Sequence, residues 1–283
     1  MFQQALVGVD GAVTGRDAIA LAARLIEPGG ELTLMHVHPG LQTVSHTLTP
    51  ALEEADRVQI EQMLEKVRAD AGVEAGIAIV QGPSPGQVLH EQAEARGSDL
   101  IVLASSRRGV LGRAVLGDDT RAALNGAPCA VAIAPVGYGE RSGAFETVGV
   151  GYDASPESEA ALSAAKELAA RSGAIVSALR IVPPPSYWYA GFIPPVLLDL
   201  DDVVARRERE MQELEGVQGH AGYGLPGEEL AAFSRGLDLL IVGSRSYGPV
   251  RRLIHGSTSN YLLRHARSPV LILPRSGETA ARA

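Results

Sequence analysis

Val7-Gly8-Val9-Asp10-Gly11 and Val150-Gly151-Tyr152-Asp153-Ala154-Ser155 carry one pattern twice: a short apolar run closes on an aspartate, and an amphipathic stretch of helical length follows. The repetition runs on through the chain. Asp10 and Asp153 stand 143 residues apart, and Val37 and Ile181 stand 144 apart. Asp99, Gly117 and Pro135 return as Asp238, Gly256 and Pro274, each displaced by 139. A period this long marks the tandem duplication of a whole domain, not a solenoid of short repeats.

The apolar runs Ala5–Val9, Leu32–Val37, Gly76–Val80, Leu100–Ala104 and Ala130–Ala134 are too short for helices. The second copy answers with Val148–Tyr152, Ile175–Ile181, an irregular Val217–Gly222, Leu239–Gly243 and Val270–Leu273. Strands separated by helical stretches are joined by crossovers, which makes the sheet parallel and covers both its faces. The predicted fold is α/β: two Rossmann-like domains, 1–138 and 145–276, each a five-stranded parallel sheet flanked by helices. Val136–Ala144, with four Gly or Ser among nine residues, is the expected linker. Thr14, three residues before Asp17, reads as a capping box, and Ser155 before Pro156 reads as a cap followed by a first-turn proline.

The 33 acidic side chains outnumber the 25 basic ones, a net charge of −8 that argues against nucleic acid or anionic membrane as partners. A single cysteine, Cys129, excludes an intrachain disulfide framework and reads as a buried packing residue. The first apolar run is too short for a signal peptide, and no stretch approaches the roughly 20 apolar residues of a spanning helix, so a cytoplasmic location is expected. His36 and His38 share one face of a strand end without a nearby acid or cysteine to complete a metal set, so no metal site is expected.

In an open parallel sheet, ligands lie beyond the carboxyl ends of the strands, where the strand order reverses. There the second copy carries Gly243-Ser244-Arg245-Ser246-Tyr247-Gly248, and Gly256-Ser257-Thr258 opens its last helix. Glycine lets backbone amides approach an anion, and a hydroxyl beside free amides at a helix N-terminus favours phosphate. Each exposed effect of this kind is worth about 0.3–1 kcal/mol, so several donors must act together. The same glycines also suit plain turns and Ser257 a plain cap, and spacing alone leaves both readings open.

These residues resemble the universal stress protein (UspA-type) family, whose ATP-binding members show Gly-x2-Gly-x9-Gly-Ser/Thr. The second copy supplies Gly243, two residues, Ser246, nine residues, then Gly256-Ser257. The likeness spans nearly the whole chain, including Leu34-Met35-His36-Val37 and Ala127-Pro128-Cys129-Ala130-Val131. It implies an intrachain pseudo-dimer joined through the last strands, Ala130–Ala134 against Val270–Leu273, with further homodimerisation left open. It also implies that ATP, with magnesium, binds the second domain and serves regulation in a stress response. Asp153 would then sit by the adenosine and Ile181 against the base. Gly243, Arg245 and Ser246 would face ribose and phosphates, and Gly256, Ser257 and Thr258 would close the phosphate site.

Two departures qualify that picture. Ser246 stands where the motif has its second glycine, and at a positive φ it would cost about 1–2 kcal/mol. The first copy has Ala104, Arg107 and Gly117-Asp118 at the matching places, so its closing hydroxyl has become a carboxylate that repels polyphosphate and can pair with Arg107. The first site is therefore expected to be degenerate. With no nucleophile–base pair and no Gly-x4-Gly-Lys-Ser/Thr loop, at most weak ATP hydrolysis is expected and no catalytic residue is assigned.

Two rival functions stand beside this one. The same fold could act as a nucleotide-independent dimerisation or partner-docking module, which Ser246 favours. It could also be an adenylylating enzyme, whose His-x-Gly-His or Ser-Gly-Gly-x-Asp-Ser signature is absent. Pro183–Pro195 holds four of the 12 aromatic residues, including the only tryptophan, and reads as a lid, a partner surface or packing. Arg251-Arg252 and Arg264-His265-Ala266-Arg267 read as solvated helix faces or a basic patch.

Overall fold

Adjacent residues of the apolar runs are buried on opposite sides of one sheet. Val7, Leu34, Val102 and Ala132 join one core, and their neighbours Leu6, Met35, Ile101 and Val131 join the other. A strand buried on both faces must be apolar continuously, which is why these runs show no polar alternation. The computed structural model describes residues 1–11, 14–38, 50–105, 122–141, 143–184, 200–244 and 256–274, with backbone alone for 50–53.

The described strands of the first half are β1 (Phe2–Gly8), β2 (Ile26–His38), β3 (Gly76–Gln81), β4 (Leu100–Ala104) and β5 (Ala130–Ala134). Those of the second are β6 (Thr147–Gly151), β7 (Ile175–Val182), β8 (Gln218–Tyr223), β9 (Leu239–Gly243) and β10 (Val270–Leu273). Helices α1 (Thr14–Leu25), α2 (Pro50–Ala71) and α3 (Pro85–Arg96) belong to the first half. Helices α4 (Pro156–Ser172), α5 (Leu200–Gln212), α6 (Pro226–Phe233) and α7 (Ser257–His265) belong to the second. Side chains of α1, α2, α4 and α5 enter one core and those of α3, α6 and α7 the other, so helices cover both faces.

All ten strands form one sheet in the order β3-β2-β1-β4-β5-β10-β9-β6-β7-β8. Every pairing is parallel except β5 with β10, where Val131, Ala132 and Ile133 face Ile272, Leu271 and Val270. The expected junction of the two last strands is thus the middle of a continuous sheet, and both cores run across it. Strand β8, read as irregular in the sequence, pairs regularly with β7 over six residues. Strand β2 starts earlier than its apolar run, because Ile26 pairs with Phe2 ahead of a register shift.

The linker is docked rather than free. Asp17, 3% exposed, accepts hydrogen bonds from the backbone N–H groups of Gly137 (2.9 Å) and Gly139 (2.7 Å). Arg24 donates to the Tyr138 hydroxyl and lies 4.1 Å over the Phe145 ring, a cation–π arrangement. The expected capping box at Thr14 is therefore corrected: Asp17 serves the linker, and the Thr14 hydroxyl donates to Asp10 at 2.9 Å. The cap at Ser155 is as expected, with its Oγ accepting from the Ser158 N–H at 3.2 Å and Pro156 in the first turn.

Candidate functional site

In the second half the strand order reverses between β9 and β6, and the chain leaves β6 through Tyr152-Asp153-Ala154-Ser155 into α4. Ala154 carries this turn with φ +64°, in the left-handed region, and Asp153 steadies it by accepting from the Ser155 N–H at 3.0 Å. Burial works to raise the Asp153 carboxyl. Hydrogen bonds from Ser155 and Ser158 and the charge of Arg180 outweigh it and hold the group below its ordinary range. Tyr152 donates its hydroxyl to Glu159, and burial, reinforced by that carboxylate, pushes the phenol up to about 12.

A cavity of about 410 Å³ opens beside this turn. Leu179, Ile181 and Pro183 after β7, Pro226 and Leu230 of α6, and Val242 of β9 make its apolar side. Its polar lining is Asp153, Ser155, Glu157 and Ser158 from the β6–α4 turn, with Gly243 and Ser244 after β9 and Gly256, Thr258 and Ser259 at the start of α7. Of the residues expected to bind nucleotide, Asp153, Ile181, Gly243, Gly256 and Thr258 therefore line one space. Ser257 opens α7 between two lining residues. Arg245 and Ser246 lie outside the described residues, as do Arg107, Gly117, Asp118, Arg251, Arg252 and residues 185–195.

Gly243 is required by a close approach. A Cβ there would stand 2.7 Å from both the Cβ and the carbonyl oxygen of Glu157. Helix α7 begins at Gly256, which has no side chain to cap the first-turn amides, and its first turn holds no acid. Ser244, 1% exposed, donates its backbone N–H to Leu273 at 2.9 Å, while its Oγ has no hydrogen-bond partner.

A model of the universal stress protein family matches residues 1–135 and again 144–274. The chain belongs to that family. A universal stress protein from Mycolicibacterium smegmatis is 28% identical, over 95% of this chain and 96% of its own length. One from Thermus aquaticus is 29% identical over 46% of this chain and 97% of its own. In fold, the chain is similar to the crystal structure of a universal stress protein from Archaeoglobus fulgidus, with a TM-score of 0.65, 19% identity, and coverage of 97% of this chain and 99% of that one.

The two universal stress protein domains differ where β1 and β6 end. In the first, Gly11 takes the turn at φ +90° and packs on Met63 of α2. His36 Nδ1 bonds the Val9 carbonyl at 2.8 Å, and His38 Nε2 meets Asp56 at 3.0 Å. Asp56 is thus an acid partner that sequence proximity to His38 did not suggest, since it arrives on α2. No group of three or more metal-ligating side chains occurs among the described residues, nor does a helix long and apolar enough to cross a membrane. Cys129 is 7% exposed and its thiol is pushed up to about 12 by burial. Arg264, His265 and Arg267 are exposed, with His265 stacked on Tyr261 at 4.0 Å, which fits a solvated helix face.

Sequence reasoning missed Glu157, Ser158 and Ser244. Their signal was present: the cap at Ser155 fixes the two residues after Pro156 over the strand ends, and Ser244 adjoins Gly243.

Proposed function

We propose that the second domain binds an adenine nucleotide in this cavity and that the protein uses it for regulation in a stress response, not for a catalytic cycle. The observation that carries the reading is the convergence of the ends of β6, β7 and β9 and the start of α7 on one cavity at the strand-order reversal. A volume of about 410 Å³ lies within the range of small-molecule sites. The residues suit the ligand's parts. Leu179, Ile181 and Pro183 would take the purine face, the Asp153 carboxylate would accept from ribose hydroxyls, and Thr258 and Ser259 at the start of α7 would meet phosphate. The buried, unpartnered Ser244 hydroxyl is the kind of group a ligand satisfies. ATP with magnesium is the nucleotide that the family resemblance suggests, the metal offsetting phosphate charge. The first domain, whose sequence has Asp118 where the second has Ser257, is read as the degenerate copy.

Isothermal titration with Mg-ATP and with AMP tests this. Saturable binding at a single site per chain, abolished by Gly256→Asp, is expected. Gly256 has φ −87°, so the substitution adds charge at the α7 start without backbone strain. Absence of heat from either ligand with the folded protein would instead favour the nucleotide-independent docking module, which the acidic side of the cavity also suits.

A further inference from the structure

At the amino ends of its strands, away from the cavity, the second domain carries two surfaces of opposite charge. One is basic: Arg235 follows α6, and Arg264, His265 and Arg267 lie at the end of α7, all four exposed. The Arg267 N–H donates to the buried Ser234 hydroxyl at 2.9 Å, which fixes this turn beside Arg235. The other surface is a groove of about 690 Å³ between the start of β7 and the loop from α5 to β8. Ile175, Leu214 and Val217 give it apolar lining, and the exposed Glu213 and Glu215 line it from the same loop. Ile175, 50% exposed, is the most exposed large apolar side chain among the described residues. Among those residues, none of the three arginines has an acidic partner and neither glutamate a basic one.

The first domain lacks both surfaces. Ile175 pairs with Thr147 as Glu31 pairs with Gln4, so the first domain has an acid where the second exposes an isoleucine. Leu214 stands where Gly72 does, each donating its N–H to the last turn of the helix before it, and Glu213 and Glu215 replace Ala71 and Val73. Arg264, His265 and Arg267 replace Asn125, Gly126 and Pro128. Groove and patch thus occur together in one copy. They lie on opposite faces of the sheet, since α5 packs into one core and α6 and α7 into the other, so a chain cannot bring its own patch to its own groove. A second copy can. A two-fold axis across this end of the strands lays the patch of each chain on the groove of the other, which makes the contact twice and closes the assembly at two. Arginine suits such a contact, because its stem covers apolar surface while its head meets a carboxylate. The net charge of −8 on each copy opposes association at a distance, so the dimer should be of modest affinity.

We propose that a second copy of this chain docks here, with Arg264 and Arg267 of each copy on Glu213, Glu215 and Ile175 of the other. The contact leaves the cavity open and is independent of the nucleotide reading. Sedimentation velocity on the full chain over about 1–200 µM should show a reversible monomer–dimer equilibrium. Arg264→Glu with Arg267→Glu, and separately Glu213→Arg with Glu215→Arg, should each weaken the dimer by about tenfold or more. Mixing these two double variants should restore it, because the reversed patch of each then meets a groove of opposite charge on the other. Ile175→Glu, which borrows the first domain's own residue, should weaken it too. A wild-type chain that stays monomeric throughout the range overturns the inference without any variant. So does a dimer unmoved by both charge reversals, or a mixture of the two folded variants that does not pair. Should one double variant fail to fold by circular dichroism, Ile175→Glu and the other pair decide, and association unchanged in both overturns it.

Discussion

At the amino ends of the strands the two domains do the same work with the same residue, and at the carboxyl ends they do not. The Asp99 carboxylate accepts from the N–H groups of Gln3 (2.7 Å) and Gln4 (3.0 Å), tying the start of β4 to β1. Asp238 accepts from Glu146 (2.8 Å) and Thr147 (3.0 Å), tying β9 to β6. At the other end, Asp10 accepts from the Thr14 hydroxyl of α1, whereas Asp153 accepts from the Ser155 N–H within its own turn. The most literal repeat in the sequence is thus a framework device, and the diverged residues surround the crevice. Likeness between the copies reports the fold, and difference between them reports the site.

The largest effect should come from exchanging residues across this difference at the end of the fourth strand. Gly243→Ala drives a methyl into the backbone of Glu157 and should cost about 2 kcal/mol, as overpacking against unyielding atoms does. Ala104→Gly at the matching place should cost no more than about 1 kcal/mol, the entropic penalty of glycine in a strand. Urea denaturation of both variants checks this, and equal losses would mean that the two helix starts approach their strands alike. The turn after the first strand should respond in the opposite sense in the two domains. Gly11→Ala should lose about 1–2 kcal/mol by forcing a side chain into the left-handed region, whereas Ala154→Gly should gain up to about 1. Thermal melts that ranked both changes alike would break the comparison.

The smallest effect is confined to alkaline solution. The Tyr152 phenol titrates at about 12 in the folded protein against 10 in an exposed chain, so the unfolded state releases its proton first. Its contribution to stability is whole below about pH 10 and disappears as the pH climbs towards 12. Tyr152→Phe should flatten this part of the stability profile. Tyr138 and Cys129 are also raised to about 12, chiefly by burial, and leave a residual slope that Tyr138→Phe combined with Cys129→Ala should remove. Val9 matches Tyr152 in the first domain, which has no such titration at its turn. Melting temperatures measured across this range, unaffected by Tyr152→Phe, would place the titrating group elsewhere.

The strands were legible because burial on both faces forces unbroken apolar runs, and the sheet junction was legible through the family resemblance. Asp153, Ile181, Gly243 and Gly256 were legible for a geometric reason: residues that end parallel strands or open the next helix must lie along one rim. Asp17 was misread because its spacing from Thr14 fits a local cap, while its real partners are 120 and 122 residues away. Asp56 was missed for the same reason. Glu157 looks like an ordinary first-turn acid, the residue that a helix dipole favours. Only the folded structure shows that it also borders a cavity.

The one antiparallel pairing, β5 with β10, has a further consequence. The five strands of the first domain run one way and those of the second run the other. The carboxyl ends of the two sets of strands therefore lie at opposite edges of the sheet, and no small ligand could touch both. If occupancy of one pole is to be felt at the other, the message must cross the seam that the β5–β10 pairs, the two shared cores, the docked linker, the Arg171 bond to the Ile26 carbonyl and the Met1–Glu167 ion pair hold together. Duplication here has made a molecule with two ends rather than one with two equivalent sites.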